Sequence, residues 1–430
     1  MANGLGSNMG VDQNLVTGSL RLRWWYIALP LAIVGLVNMM DRTAIGVVMA
    51  NKQFLQDLNL VGRPAVTGLL MSGFLVGYGL SPIVWGYAIR WRGARLCAIA
   101  GIIIWGATMV LSGAAHTAGQ LITARIILGI GEGFAFPVAN VFVANWFLTK
   151  ERGRANSVWL SGMNLGPVVA GVLVAALVGA GGWRMAFYTL AAISLLIPLP
   201  LVIFLMRDRP SQHPRISPEE VRAIEEESPA KIAVGPKTKE KQSYIRNYRF
   251  WLVTLAWGCD NIYFWGWATW MPTYFRTARH FSFQAAGYLY SLNYLVTLAS
   301  VLGFGYLSDR IQRRAPFGGV GPIVAGILMF LGGSVIADPY WSLAVLVIAL
   351  ACQQIGFLMV HPLLQTIVPK SSLSAAVGLA TLVSFLMAMI SPTLAGWLLG
   401  ISGFGAVILF FSVTVAMAGV FVLSLAKEGY

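Results

Sequence analysis

Twelve apolar stretches occupy most of this chain of 430 residues, at roughly 24–48, 64–89, 96–115, 118–142, 154–178, 185–206, 250–275, 284–307, 318–336, 341–366, 374–399 and 403–425. Each comes near the ~20 residues that a helix needs to cross a ~30 Å hydrocarbon core. Within that core every backbone polar group must be satisfied internally, so the stretches read as spanning helices. The expected fold class is an all-α membrane protein with twelve transmembrane helices. A content of 57% hydrophobic and 11% charged residues agrees with that class. Gly and Pro interrupt many of the stretches, which spanning helices tolerate where neighbours satisfy the freed backbone groups.

The net charge of +14 could serve nucleic acid or an anionic substrate, but its distribution points elsewhere. With both termini inside, 23 of the 30 Lys and Arg fall in cytoplasmic segments, five fall outside (Lys52, Arg63, Arg184, Arg276, Arg279) and two lie within spans (Arg42, Arg125). That asymmetry follows the positive-inside rule and predicts that both termini are cytoplasmic. The basic balance then serves topology and attraction to anionic lipid, and nucleic acid is not an expected partner. Residues 1–20 are polar and lack a basic region ahead of an apolar core, so no cleavable signal is expected. Cys97, Cys259 and Cys352 lie in three separate stretches without CxxC spacing, which predicts buried free thiols and neither a metal site nor a disulfide framework. Four scattered His, lone Cys, and the absence of a Walker or HExxH motif argue against an enzyme, and no cofactor is expected.

One long polar segment, 207–249, separates the sixth stretch from the seventh. Its mixed charge, its Pro content and its length mark a linker between an N-terminal six-helix bundle, 1–206, and a C-terminal one, 250–430. Ser217-Pro218-Glu219-Glu220 is a helix-start signal within it. The two bundles also repeat each other. Gly86-Tyr-Ala-Ile-Arg-Trp-Arg-Gly-Ala-Arg95 follows the second stretch and Gly305-Tyr-Leu-Ser-Asp-Arg-Ile-Gln-Arg-Arg314 the eighth, an offset of 219 residues. The same offset carries Asp41 onto Asp260, the only acidic residue of the seventh stretch. A parallel repeat related by a pseudo-two-fold places a substrate between the halves near the membrane midplane, so Asp41 and Asp260 are expected to face one cavity from opposite sides.

Charge inside the spans is the second constraint. A charged residue at the bilayer centre costs roughly 2.5–3.5 kcal/mol on insertion scales, so such residues face a cavity or pair with one another. The first span holds Asp41 and Arg42, and the fourth holds Arg125 and Glu132. Arg125 and Glu132 are seven residues apart, within about 20° on a helix and roughly 10.5 Å along its axis. They share a face and bracket Gly129, which leaves room for a partner helix or a ligand. Asp41 and Arg42 point about 100° apart, so each must meet a group on another helix. Two readings stand: a neutral clamp between helices, or a site that binds and moves charge.

The twelve-helix layout, the doubled loop motif and the fourth-span motif resemble the major facilitator superfamily. Within it, Asn38-Met-Met-Asp41-Arg42 is similar to the N-x-x-D-R of the anion:cation symporter family. So is Arg125-Ile-Ile-Leu-Gly129-Ile-Gly-Glu132-Gly-Phe-Ala-Phe136-Pro137, followed by Asn140, Trp146-Phe147 and Glu151-Arg152. That family includes bacterial sugar-acid/proton symporters and the vesicular glutamate and sialic-acid transporters. Tyr78, Ser161-Gly162, Gly166 and Trp270-Met-Pro272-x-Tyr274 are weaker matches. The chain also departs from the pattern. The first loop motif carries Arg90 where the family has Asp, while the second keeps Asp309-Arg310. Met39 stands where a Tyr is frequent, and Met163 where a Gln is frequent.

The resemblance implies proton-coupled symport of an organic anion by alternating access, in the cytoplasmic membrane of a bacterium, by a monomer. The residue chemistry agrees. A carboxylate asks for a planar, permanently charged, bidentate donor, which makes Arg42 the candidate for the substrate carboxylate, with Arg125 assisting or holding Glu132. Asp41 and Glu132 are the proton-coupling candidates, with Asp260 a third, because a buried carboxyl can change charge in the working pH range. Tyr78, Asn140, Asn164, Asn261 and Asn293 are candidate substrate contacts, with Gln353 and Gln354 similar. Each could instead hydrogen-bond between helices. Trp257, Tyr263, Trp265, Trp267 and Trp270 read as packing or as a ring that stacks on substrate, and His361 as a packing or titrating group. Gly166-Pro167 and Ser391-Pro392…Gly396 read as bends for rocking or as sites of close packing. Gly86, Arg90, Gly93, Arg95, Asp309 and Arg310 are the gating-loop candidates. Met39 and Met163 replace two polar contacts, so the acid is expected to be smaller or less polar than a sugar acid. A proton-driven exporter of the same fold is the alternative, and the two arginines of the first half argue against cationic cargo.

Overall fold

The computed structural model describes residues 22–226, 243–310, 314–369 and 372–426, with the side chains of 226, 243, 305–310, 314 and 374 outside that description. Among the described residues, nine helical segments are long and apolar enough to cross a membrane. The first four are α1 (Trp24–Met49), α2 (Pro64–Arg92), α3 (Ala94–Gly113) and α4 (Ala118–Trp146). Arg152–Phe204 holds two passes, α5 and α6, parted at Gly181–Gly182 where Gly182 has φ +80°. Then follow α7 (Tyr248–Thr277), α8 (Phe283–Arg310), α9 (Arg314–Phe330) and α10 (Pro339–Ile367). Ala375–Ala426 again holds two passes, α11 and α12, parted at Gly403 with φ +70°. Seven single and two double segments give eleven passes, and α7, with 30 residues, is the twelfth. Its polar and aromatic content (Asp260, Asn261, five Trp) lowers its hydropathy without shortening it.

The ends of the passes are set locally. Thr117 and Gln120 form a reciprocal capping box at the start of α4. Asp338 accepts from the Tyr340 and Trp341 amides at the start of α10, with Pro339 in the first helical position. Within the membrane, small residues let backbones touch. A methyl group on Gly129 would lie 2.2 Å from the Phe74 carbonyl and one on Gly77 2.1 Å from that of Ile126, so α2 and α4 meet backbone to backbone. Gly162 and Gly166 bring α5 equally close to the Ala32 and Leu36 carbonyls of α1. Gly166 is thus a close-packing position, as is Gly396 against Pro64.

The first six and last six passes meet unevenly. Val172 N–H donates to Ser291 Oγ at 2.9 Å, Thr393 to Ser72 at 2.8 Å, and Arg276 to the Ala50 carbonyl. A methyl on Gly46 would lie 2.7 Å from the Ala268 carbonyl, and one on Gly68 2.3 Å from that of Pro392. All these contacts lie between mid-bundle and the end away from the 207–249 linker. The Tyr78 and Phe385 rings, 5.7 Å apart, mark their inner limit.

The linker is partly built onto the first six passes. Its helix is observed at Pro218–Glu226, where the start signal predicts it. Arg23 bridges Glu151 at 2.9 Å and Glu220 at 3.6 Å, tying α1, the α4–α5 turn and the linker helix together. The Lys237–Lys241 run lies outside the described residues.

Candidate functional site

Arg42 is the centre of the site. It sits on α1, 1% exposed, and donates from Nε and Nη2 to Glu132 Oε2 of α4 at 3.3 and 3.2 Å. Nη2 also donates to Asn38 Oδ1, one turn earlier, at 2.9 Å. The guanidinium lies 4.1 Å from the Tyr78 ring centre, 5.1 Å from Phe74 and 5.7 Å from Trp265. Two of those rings come from α2 and one from α7, so both six-helix sets contribute to the same cation. Aromatic faces offset part of the cost of holding a guanidinium away from water. Nη1 has no hydrogen-bond partner among the described residues.

Of the two roles open to Arg125, assisting at the substrate or holding Glu132, the second is not what the side chains do. Arg125 does not hold Glu132, because seven residues separate them by roughly 10.5 Å along one axis and Arg42 on the neighbouring helix is nearer. Arg125 turns instead to the Leu70 and Arg42 carbonyls, at 3.3 Å each, and lies 5.0 Å from the Phe74 ring. It ties α4 to α2 and to the backbone of Arg42 itself. Arg125 Nη1, Glu132 Oε1 and Asp41 Oδ1 are buried without a hydrogen-bond partner among the described residues. Three orphaned atoms on charged groups in one region are uncommon in a finished core.

Asp41 is also placed differently from the expectation. Its Oδ2 accepts from Trp105 Nε1 of α3 at 2.6 Å and from Ser194 Oγ of α6 at 2.8 Å. About 100° of helix rotation separates it from Arg42, which turns it into the first six-helix set and away from the second. Asp260 faces α10, accepting from Gln353 Nε2 at 2.6 Å, and Gln354 Nε2 donates to Gln353 Oε1 at 3.0 Å. Asp41 and Asp260 therefore do not face one cavity as the 219-residue offset suggests. Asp260–Gln353 bridges α7 and α10 as Arg42–Glu132 bridges α1 and α4.

The amides divide. Asn293 is fully buried, donates to Met271 Sδ at 3.2 Å and leaves Oδ1 unpartnered among the described residues. Asn261 and Asn164 spend their amides on the Trp257 and Leu160 carbonyls of their own helices. Asn140 and Asn164 are exposed. Tyr78 is buried between Phe74 and Phe385. Met163 packs on Gly35, where a methyl group would lie 2.9 Å from its Cγ, so it fills the α1–α5 contact. His361 lies edge-on to Trp257, centroids 5.2 Å apart.

In the gating loop, Gly93 joins α2 to α3 with φ +83°, a conformation that favours glycine. Arg90 is exposed. Gly86 has no close neighbours, and Asp309 and Arg310 have side chains outside the described residues. An acid does serve the first loop, from an unexpected place. Asp208 Oδ1 accepts the Arg95 N–H at 2.8 Å, putting negative charge at the start of α3, and Arg95 Nη2 donates to the Ile203 carbonyl at 2.7 Å. Next to it, Trp146 Nε1 donates to the Arg207 carbonyl at 2.8 Å, and His213 packs 4.6 Å from Tyr26 and 5.9 Å from Trp146. Burial, with Arg207 and Arg215 nearby, pushes His213 below the usual histidine range. Phe74, Trp105, Ser194 and Asp208 were not legible as partners. Only Phe74 gave a signal, lying one helical turn from Tyr78.

Comparison with known proteins adds to the geometry. A family profile described as Major Facilitator Superfamily matches residues 31–372. A probable sulfoacetate transporter of Cupriavidus necator is 32% identical over 266 residues, 62% of this chain and 60% of its own length. The chain thus spans less than two thirds of that relative. A probable L-galactonate transporter of Escherichia coli is 25% identical over 384 residues, 86% of this chain and 81% of the relative. The crystal structure of a D-xylose–proton symporter superposes with a TM-score of 0.75 over 93% of this chain and 97% of that one, at 17% identity, a likeness of fold alone.

Proposed function

The chain belongs to the Major Facilitator Superfamily, and we propose that it carries a small organic anion together with protons by rocking its two six-helix halves, 1–206 and 250–430, about the level of Arg42. The observation that carries this reading is the Arg42 guanidinium. It is buried, tied to one carboxylate, ringed by aromatics from both halves, and keeps Nη1 for a further acceptor. Arg is the side chain suited to planar, bidentate capture of a carboxylate or sulfonate. The anionic compounds in the names of the two relatives support the same class of cargo.

Charge balance supplies the coupling. Arg42 and Arg125 share the first half with two fully buried carboxyl groups, Asp41 and Glu132, while Asp260 is buried against α10 of the second. An arriving anion adds negative charge to a region whose two acids already balance its two guanidiniums, and uncompensated buried charge costs several kcal/mol per ion. Protons arriving with the anion remove that penalty. Protonated Glu132 releases the Nε–Nη2 edge of Arg42, and the anion takes that edge. After the anion leaves and the proton follows, the Arg42–Glu132 bridge re-forms and the empty carrier returns. Arg125, anchored on the Arg42 carbonyl, positions the guanidinium through the cycle. Asp41, held by Trp105 and Ser194, is the second proton site on this reading, and Asp260 with Gln353 and Asn293 lines the other half.

The seams described above close the end away from the linker. With the linker and both termini cytoplasmic, as the positive-inside asymmetry supports, this is the inward-open member of the cycle, in a bacterial cytoplasmic membrane. Met39, part-exposed on α1, favours an acid smaller or less polar than a sugar acid, while Met163 is spent in the α1–α5 contact.

The test is uptake into proteoliposomes under an inward proton gradient, using radiolabelled sugar acids, aromatic acids, short carboxylates and sulfonates, with and without protonophore. Gradient-dependent accumulation of one acid, lost in Arg42→Ala and made independent of pH in Glu132→Gln, is the expected result. Efflux of a cationic dye with no acid taken up would refute it in favour of an exporter.

A further inference from the structure

Arg276 has a position that neither anion binding nor proton transfer uses. It lies in the last turn of α7, half-buried, with its guanidinium directed across the boundary between the halves. Its Nη1 donates to the carbonyl of Ala50, the residue that ends α1. The last carbonyls of a helix have no partner within it and carry the negative end of the helix dipole, so a cation there is held by charge and by a hydrogen bond. Around this contact lie the Ser72–Thr393 hydroxyl pair and the backbone approaches at Gly46, Gly68 and Gly396. Among these, Arg276 is the one that brings a full charge to the seam.

We infer that Arg276 is a positioning residue for transport: its grip on the end of α1 holds the far end of the bundle shut while the linker end is open. Two features fit a contact that breaks and re-forms in each cycle. Its acceptor is a neutral carbonyl, so separation leaves no orphaned carboxylate behind. Its anchor is the helix that carries Arg42, eight residues and about 12 Å from Ala50 along a rigid axis, so a shift of α1 at the substrate level is felt at the seam. The inference needs the halves to move relative to one another, and so rests on the transporter reading; its test needs no substrate.

The test is thiol labelling of purified full-length protein with Cys97, Cys259 and Cys352 replaced by Ala. Single reporters are Thr67→Cys, buried beside the Gly68–Pro392 approach, and Asn164→Cys, which is exposed. Arg276→Gln should raise the labelling rate of Thr67→Cys about tenfold, the population shift expected from losing a cation at a partly buried helix terminus, and Arg276→Lys should restore most of the closure. Arg279→Gln is the control. Arg279 also bonds carbonyls, but those of Gly332 and Gly333 within its own half, together with the Tyr274 hydroxyl, so its loss should leave Thr67→Cys protected. Unchanged labelling in Arg276→Gln, or equal exposure in both Arg variants, overturns the inference. Failure of the uptake experiment with this labelling pattern intact would refute the anion reading alone.

Discussion

The bridge between Arg42 and Glu132 makes a quantitative prediction about stability that is separable from transport. Replacing Arg42 with Met removes two donors from Glu132 Oε2, at 3.3 and 3.2 Å, and leaves a carboxylate that is 0% exposed without its cation. Breaking a buried pair from one side costs about 3–5 kcal/mol. The Tyr78 and Phe74 faces lose a further ~0.5–2 kcal/mol of cation–π attraction. Glu132→Gln keeps an acceptor for Arg42 but removes the charge, at about 2–4 kcal/mol. In the double variant neither ion remains to be stranded. The combined loss should therefore fall short of the sum of the single losses by about 2–4 kcal/mol, since contacting groups are not additive. Reversible unfolding of the purified protein in mixed micelles, measured for the four members of the cycle, gives that coupling directly. Additivity within about 0.5 kcal/mol would refute the bridge as an energetic unit. Transport should behave differently: Arg42→Met and the double variant should lose accumulation with the anion's partner, and Glu132→Gln should lose its pH dependence, because restored stability restores neither.

Three further outcomes are expected. Trp105→Phe should destabilise the protein by about 1–3 kcal/mol, since Asp41 Oδ2 then loses a buried charge-assisted donor. Ser194→Ala, which removes the other donor, should act in the same direction in the same unfolding assay. Asp208→Ala should cost about 0.5–2 kcal/mol by uncovering the first turn of α3, and proteolysis between 207 and 226 should accelerate. Docking of that segment should also depend on pH. His213 is pushed below its usual value when packed, so the undocked form binds the proton more readily. Stability of docking then rises with pH through the window just below the ordinary histidine value and is lost as pH falls through it. His213→Phe should flatten that dependence in the same proteolysis assay.

How much of this was legible in the sequence depended on the range of the interaction concerned. Hydropathy gave eleven of the passes within a few residues, and α7 as well, because the length of a spanning helix answers to the thickness of the bilayer and not to the rest of the protein. The linker helix at Pro218–Glu226 was equally readable, since its start signal is local. That Asp41 and Arg42 point apart followed from helix geometry alone. The pairing of charges did not. Arg42 pairs with Glu132 across 90 residues, while Arg125, on the same helix as Glu132, turns to backbone carbonyls.

Asp41 and Asp260 show the limit most clearly. They occupy matched positions in the repeat, yet one is held by Trp105 and Ser194 within its own half and the other by Gln353. The repeat fixes which helices correspond, but which neighbour a side chain meets depends on the rotation of each helix about its axis. That rotation is set by close contacts such as Gly77–Ile126 and Gly162–Ala32. Asp208 makes the same point at the loop. Arg90 removes the expected acid from the motif, and the chain supplies another from 113 residues away in sequence, measured to Arg95. By itself the sequence determined the membrane class, the twelve passes, the repeat and the residue types at the centre, because each of these is written in local hydropathy and spacing. Only the tertiary structure decided which charges neutralise one another and which end of the bundle is sealed, because both depend on contacts between helices far apart in the chain.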